Sequence, residues 1–455
     1  MISSSGGIPP TVEAVDVPAA RPNLPELDED ADEVYREPWY ATLIQILIPF
    51  GLASLGTITA GVVFGNVENW LVFKQMRELT MIVPGLCGLK GNLDMCVAAR
   101  LCTHAALGHL RQFSNIRNII IGNVALVQVQ AIISSLLLAI FTMIIKCIVS
   151  NTLDLSNLTT LISASIITAS TSCLILDSAL LLGILFSQRY RFNPDYFATP
   201  IVASIGDVTS VSMLAFTAAS LYDLRWVSVL IVGSYLLVLL PFCIALALHN
   251  AQTRPVLFYG WISVIGALCI SEFCGFILGA SAEQFNGFTL FSPVINGSAG
   301  NLISVQANNM SSLLHQRTPL GKLPKGTRIF EMPQHALCYG TIYSRVSRLV
   351  IAISIPGSLM QAYLADYMYS LDSTVYFVFV IAFTVASLLQ LIILLLSAHV
   401  LVHALWIFKI DPDSAAIPYL TAFGDSLGTG LLAITFLIVQ GSKYEYCTNK
   451  SPWLN

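Results

Sequence analysis

Residues 193–207 read "NPDYFATPIVASIGD", and residues 411–425 read "DPDSAAIPYLTAFGD". The two stretches agree at Pro194/Pro412, Asp195/Asp413, Pro200/Pro418, Gly206/Gly424 and Asp207/Asp425, a constant offset of 218. A second pair lies upstream of each. "VPGLCGLKGNL" (83–93) aligns with "SPVINGSAGNL" (292–302), matching Pro84, Gly88, Gly91, Asn92 and Leu93 to Pro293, Gly297, Gly300, Asn301 and Leu302 at an offset of 209. Oily segments resemble one another by chance, but chance rarely aligns Pro, Gly, Asn and Asp in the same order and at nearly the same spacing. The chain reads as an internal duplication with a carboxylate near the end of each copy.

The medium around these carboxylates follows from composition. The 455 residues are 55% hydrophobic and 11% charged, with a mean hydropathy of +0.75. Soluble proteins carry about 25% charged residues, so most of this chain belongs in a bilayer. A bilayer core takes roughly 20 apolar residues as a helix. Spans are expected near 41–63, 80–104, 119–145, 159–186, 199–221, 227–248, 259–280, 289–313, 346–369, 375–402 and 416–439. The second and eighth are interrupted by Gly and polar residues. Residues 1–40 are acidic and Pro-rich and cannot offset their ordering entropy, so a disordered tail is expected there. They lack the basic and apolar regions of a signal peptide. The ten cysteines form no CxxC and no metal spacing and read as small apolar residues.

The fold class expected is therefore an all-α polytopic membrane protein of about eleven spans. Two five-span repeats, 41–225 and 251–441, flank one extra span at 226–250. Five is odd, so direct fusion would invert the halves. The extra crossing restores their orientation and makes the repeats parallel, related by a pseudo-two-fold axis along the membrane normal. Such a chain is a dimer within itself, and one copy is expected to suffice as a working unit. Fourteen of the 22 Lys and Arg residues fall in, or within one turn of, segments that are inner if the N-terminus is cytosolic, and six fall in outer ones. The 314–345 loop supplies much of that bias. Positive charge marks the cytosolic side, so a cytosolic N-terminus and an extracytosolic 442–455 tail are expected. The sequons at Asn157 and Asn449 both fall outside in this topology.

Carboxylates inside a membrane are costly and mark pathways or partners. Asp207 and Asp425, brought to equal depth across one axis, would repel unless a cation lay between them. The pair is a candidate divalent-cation site, with the cation a better companion for Asp207 than a salt bridge on a neighbouring helix. Mg²⁺ dehydrates reluctantly and is often held through its waters by one or two carboxylates. The Gly-x-x-Gly-Asn copies would break or thin their helices where backbone lines a cavity. That makes Gly88, Gly91, Gly297 and Gly300 pore or gate candidates, with the Asn92 and Asn301 amides facing an ion's water shell. The halves differ at Lys90 and Asp94, which stand where the second copy has Ala299 and Ile303. Lys90 and Asp94 could pair with each other, or act as the coupling element of an exchanger. Asp177 and Glu272 are expected to be interfacial or paired, and His399 and His403 interfacial.

Together "GLKGNLDMCVAARL" (88–101), "IIGNVALVQVQA" (120–131), "SPVINGSAGNLISVQA" (292–307) and the two Gly-Asp stretches resemble solute-carrier family 41, the animal relatives of bacterial MgtE magnesium transporters. The resemblance covers about 40–440. It implies two fused MgtE-type membrane domains, with Mg²⁺ as the transported ion and Na⁺ as a proposed coupling ion. It places the ion site on Asp207 and Asp425, with the backbone carbonyls of Ala203 and Thr421 as secondary contacts. The 1–40 tail and the 314–345 loop are too short for the cytosolic regulatory domains of the bacterial proteins. The plasma membrane is the expected location, with lipid and divalent cations as partners and no nucleic acid. A passive cation channel is the nearest alternative. An intramembrane aspartyl protease is remote, because neither copy has the Gly-x-Gly-Asp of those enzymes, so no enzyme is expected.

Overall fold

The computed structural model describes residues 39–106, 113–150, 155–190, 194–250, 253–259, 261–324, 327–338, 343–372, 374–440 and 446. The chain divides into two units, Met1–Thr42 and Leu43–Asn455. Most of the acidic tail, the Asn449 sequon and most of the 442–455 segment lie outside the described residues.

Each expected span coincides with a long helix. These are α1 (Trp39–Val67), α2 (Glu78–Ala106), α3 (Phe113–Ser150), α4 (Leu155–Tyr190), α5 (Pro194–Leu221), α6 (Arg225–His249), α7 (Trp261–Gln284), α8 (Phe288–Arg317), α9 (Ser344–Ser370), α10 (Phe377–Ile407) and α11 (Pro412–Val439). No strand occurs among the described residues. Eight helices are long and apolar enough to cross a membrane, and the protein is an all-α polytopic membrane protein. Among the others, α2 and α8 carry the two Gly-x-x-Gly-Asn copies, whose polar residues dilute the apolar signal. In α5 the described apolar stretch is Ile205–Leu221. The Gly pairs do not break their helices: α2 and α8 run uninterrupted through Pro84 and Pro293. Their small side chains thin the helix and leave its backbone hydrogen bonds in place.

Contacts recur in matched pairs. A methyl group at Gly61 of α1 would sit on the carbonyl oxygen of Leu290 in α8, and one at Gly275 of α7 would sit on that of Met81 in α2. Met81 and Leu290 differ by 209, the offset of the Gly-x-x-Gly-Asn copies. Thr57 packs on Gly297, and Ser271 packs on Gly88, in the same relation. In each half the first helix therefore packs on the other half. α1 continues onto α9, where Gln361 Nε2 donates to Ser54 Oγ at 2.6 Å and Tyr369 OH donates to the Gly65 carbonyl at 3.3 Å. α7 continues onto α3, where Thr142 Oγ1 donates to both carboxylate oxygens of Glu272, at 3.1 and 3.2 Å. Small residues at such crossings let backbones approach closely, which is the main source of helix association in lipid.

α6 has no matched partner. Only 6% of its apolar stretch is buried in the protein, against 39–56% for the other seven apolar helices. Leu237 and Val238 are among its exposed residues, as expected of a lipid-facing helix. Its middle, Tyr235–Leu239, winds as a π-helix just before Pro241. Proline lacks an N–H and crowds the preceding turn, and a wider turn relieves both.

An aromatic cluster closes one end of the second half. Phe285, Phe288, Phe291, Phe379 and Phe436 pack together, and the Tyr446 ring lies 5.1 Å from that of Phe291. Tyr446 also covers Gly287, whose φ of 76° favours a residue without Cβ. Burial pushes the Tyr446 phenol up, and the adjacent Asp366 charge adds to the rise. The phenol therefore stays protonated and donates to Asp366 Oδ1 at 2.8 Å. Asp366 also accepts the amides of Thr374 and Val375, at 2.6 and 2.9 Å, just before α10 begins.

Gly61→Val and Gly275→Val are each expected to cost about 1–3 kcal/mol, because the colliding atom is backbone and cannot swing away. Gly233→Ala on α6, with open space around it, is expected to leave stability unchanged or raise it. Thermal unfolding in detergent separates the two classes.

Candidate functional site

A cavity of about 130 Å³ lies between the halves. It has room for several waters at on the order of 30 Å³ each. Pro84, Gly88, Gly91 and Asn92 of α2 line it, together with Pro293, Gly297, Gly300 and Asn301 of α8. Asp207 of α5 and Asp425 and Thr421 of α11 complete its polar wall. Residues far apart in the sequence, from both copies of both motifs, thus share one space. A methyl at Gly91 or Gly300 would meet nothing within 4 Å, so both glycines border open space. A methyl at Gly88 would lie 3.9 Å from Asp425 Oδ2, so the first copy of the glycine motif faces the second carboxylate. Thr421 Oγ1 leans toward Asn92 Oδ1 at 3.4 Å, joining α11 to α2 across the cavity. Ala203 lies in the part of α5 whose side chains fall outside the described residues.

The two carboxylates have different neighbours. Lys90 Nζ donates to Asp207 Oδ1 at 3.0 Å, and the Lys90 side chain is only 2% exposed. This corrects one expectation: Lys90 pairs with Asp207, on a neighbouring helix, and not with Asp94 one turn along α2. The reason is steric as well as electrostatic. A methyl at Gly206 would occupy the position of Lys90 Nζ, so the glycine before Asp207 is the slot through which the ammonium arrives. In the second copy Gly424 instead meets the Leu394 side chain, while its carbonyl accepts from Gln390 Nε2 at 2.9 Å. Ala299 stands where Lys90 would be, and the Asp425 carboxylate has no hydrogen bond among the described residues.

A line of charge continues behind Lys90. Asp94 and Asp177 are 5% and 4% exposed, and their carboxylate oxygens have no hydrogen-bond partner among the described residues. Arg100 Nε donates to Asn123 Oδ1 at 2.8 Å, and its charge acts on Asp177. Asp177 is therefore buried within the protein, and Glu272 is paired, as expected, with Thr142. His399 and His403 are 4% and 0% exposed. His403 Nδ1 meets the His399 carbonyl at 2.6 Å, and His399 Nε2 meets the Arg328 carbonyl at 3.2 Å. A backbone carbonyl meets one nitrogen of each ring, while His403 Nε2 has no hydrogen-bond partner among the described residues. No group of three metal-ligating side chains occurs among the described residues.

Residues that stand out in neither motif also build the site. Asn296 Nδ2 donates to Thr429 Oγ1 at 2.9 Å, and Cys274 Sγ lies 3.2 Å from the same oxygen, tying α7, α8 and α11 together beside the cavity. The glycines of α1 and α7 lie outside both motifs too. Their signal is a spaced set, Thr57-Gly61-Gly65 against Ser271-Gly275-Gly279, repeated at an offset of 214.

Comparison with known proteins bears on what this cavity belongs to. The family model for MgtE, a divalent cation transporter, matches residues 83–217 and again 292–435. The chain belongs to the MgtE divalent cation transporter family. It is 38% identical to solute carrier family 41 member 2 of Xenopus laevis, over 91% of this chain and 74% of that protein. It is 36% identical to solute carrier family 41 member 3 of Rattus norvegicus, over 91% and 90%, and 37% identical to the human member 2, over 86% and 70%. No solved structure matches. The two stretches matched by the MgtE family model begin at the Pro-Gly-Asn copies and end past the Gly-Asp copies, so they contain every cavity residue named above.

Asp207 and Asp425 are expected to differ in stability as they differ in surroundings. Asp207→Asn leaves Lys90 buried without its counter-charge and should cost about 3 kcal/mol. Asp425→Asn removes a carboxylate without a protein partner and should leave stability unchanged or raise it. Thermal melts in divalent-free detergent buffer test the contrast.

Proposed function

We propose that this MgtE-family protein carries a divalent cation, chiefly Mg²⁺, across the membrane through the cavity between its halves. Asp207 and Asp425 hold the ion, largely through its water shell. The observation that carries this reading is that one cavity takes a carboxylate and a Gly-x-x-Gly-Asn motif from each half. Two carboxylates supply two negative charges to a doubly charged ion. The glycine faces and the Asn92 and Asn301 amides leave room for, and hydrogen bonds to, the waters that Mg²⁺ gives up reluctantly. Thr421 and the Ala203 backbone belong to the same wall in this reading, and Gly88, Gly91, Gly297 and Gly300 keep the passage narrow and smooth.

The architecture proposed with it is two parallel five-helix repeats, 41–225 and 251–441, joined by the 226–250 helix. The cytosolic N-terminus and extracytosolic C-terminus follow from the charge bias of the loops, and the plasma membrane is the proposed location. A single chain supplies both carboxylates, so a monomer suffices. The protein acts as a transporter and not as an enzyme. The mode of transport is proposed as Na⁺-coupled exchange, because Lys90 makes the two halves electrically unlike, where a symmetric passive channel would need no such difference.

Reconstituted vesicles test both parts. Asp425→Asn is expected to lower Mg²⁺ flux per folded protein by roughly 10–100-fold, the usual loss when a partner of a metal's outer shell is removed. Normal flux in both Asp425→Asn and Asp207→Asn would rule out the paired site. Mg²⁺ flux that ignores an imposed or reversed Na⁺ gradient would leave the passive channel as the mode.

A further inference from the structure

The geometry points to Lys90 as a tethered competitor of the transported ion: its ammonium occupies Asp207 when the site is empty and moves to Asp94 when a divalent cation binds. The inference rests on the reading of Asp207 and Asp425 as the cation pair and adds a device to it.

Three observations carry it. First, Lys90 Nζ already sits where a cation would sit, 3.0 Å from Asp207 Oδ1 at the cavity wall. Second, Asp94 lies four residues along the same helix, is 5% exposed, and has neither oxygen bonded among the described residues. Its charge acts on Lys90. A buried carboxylate left in this state is costly unless something pairs with it for part of the time. Third, the second half lacks both members. Ala299 and Ile303 stand at the matching positions while Asp425 is retained. Lysine and carboxylate are thus present together or absent together, as a receiving site for that lysine would require.

Charge balance sets the direction of the exchange. Asp177 is matched by Arg100. The remaining charges at the cavity wall and beside Lys90 are Asp207, Asp425, Asp94 and Lys90 itself. With a divalent cation on Asp207 and Asp425 and the ammonium on Asp94, every charge has a counter-charge. With Lys90 held on Asp207, the ion meets one free carboxylate and Asp94 stays uncompensated. Residues four apart share a helix face, so the move needs only a change of side-chain rotamer. Lysine ahead of an acid is the weaker order for such a pair, which fits an ammonium that rests on Asp207 and visits Asp94 only when displaced.

The test is Mg²⁺ binding by calorimetry to the purified full-length chain in detergent. Asp94→Asn keeps the Lys90–Asp207 pair, so it should fold, and it should weaken Mg²⁺ binding by about tenfold, or 1.4 kcal/mol. Lys90→Met should tighten binding by a similar factor, with Lys90→Gln used if that variant does not fold. In the Lys90→Met background Asp94→Asn should have no further effect, since coupled residues are non-additive. Asp94→Asn binding like the unaltered protein, or the same loss with and without Lys90, would overturn the proposal. Asp425→Asn separates this from the parent reading. If it abolishes Mg²⁺ binding while Lys90→Met fails to tighten it, only the lysine device is wrong; if Asp425→Asn binds normally, the paired site itself is wrong.

Discussion

A carbonyl oxygen seated on a glycine, made once at Gly61 and Leu290 and again at Gly275 and Met81, holds the halves of this protein against each other. In lipid there is no hydrophobic gain from helix association, so affinity must come from close packing and from polar contacts with no competing water. Glycine at the crossing allows the closest backbone approach. Because each contact joins the first helix of one half to the second helix of the other, neither half can move alone without opening a crossing. The cavity lies between the same second helices, α2 and α8, so the packing that joins the halves also sets the width of the space between the two carboxylates.

The frame is symmetric and its charges are not. Both halves carry the glycine crossing, the Gly-x-x-Gly-Asn face and the Gly-Asp turn. Only the first carries Lys90, Asp94, Arg100 and Asp177 on or against α2, with Ala299, Ile303 and Asn309 at the α2-equivalent positions of α8. The second half has instead the phenylalanine cluster tied down by Tyr446 and Asp366. Charge buried in lipid makes a half costly to hold together, and an aromatic cluster makes a half firm. One copy of the duplication has therefore gathered the polar groups and the other the rigid packing, a division open to two copies held in one chain and closed to a dimer of identical chains.

The fold was largely legible because a span is a local property. Twenty apolar residues announce a helix wherever they sit, and all eleven expected segments coincide with long helices. The members of the site were legible because they are duplicated, and duplication distinguishes a polar residue with a role from one that merely borders the membrane. Pairings were not legible. Lys90 lies one turn from Asp94 and 117 positions from Asp207, and proximity in the sequence suggested the wrong partner. What decides the choice is Gly206, whose missing side chain opens the path, and that is a property of helix packing with no trace in the local pattern. The partner of His399 was hidden for a related reason: the Arg328 carbonyl that meets it lies 71 positions away.

The two helices that carry the Gly-x-x-Gly-Asn copies show what the site costs. A membrane helix is ordinarily recognised by its apolar side chains, yet α2 and α8 exchange part of that signal for Asn, Asp, Lys and glycine. They can do so because other helices shield them from lipid: α2 packs against α3, α4, α5, α7 and α11, and α8 against α7, α9, α10 and α11. The apolar helices act as the solvent for the polar ones. α6 stands outside this arrangement, with only 6% of its apolar stretch buried. It packs on α3 through Cys243 and Ala247, against Ala125, Leu126 and Val129, and lines no part of the cavity, so the polar helices keep their faces to one another.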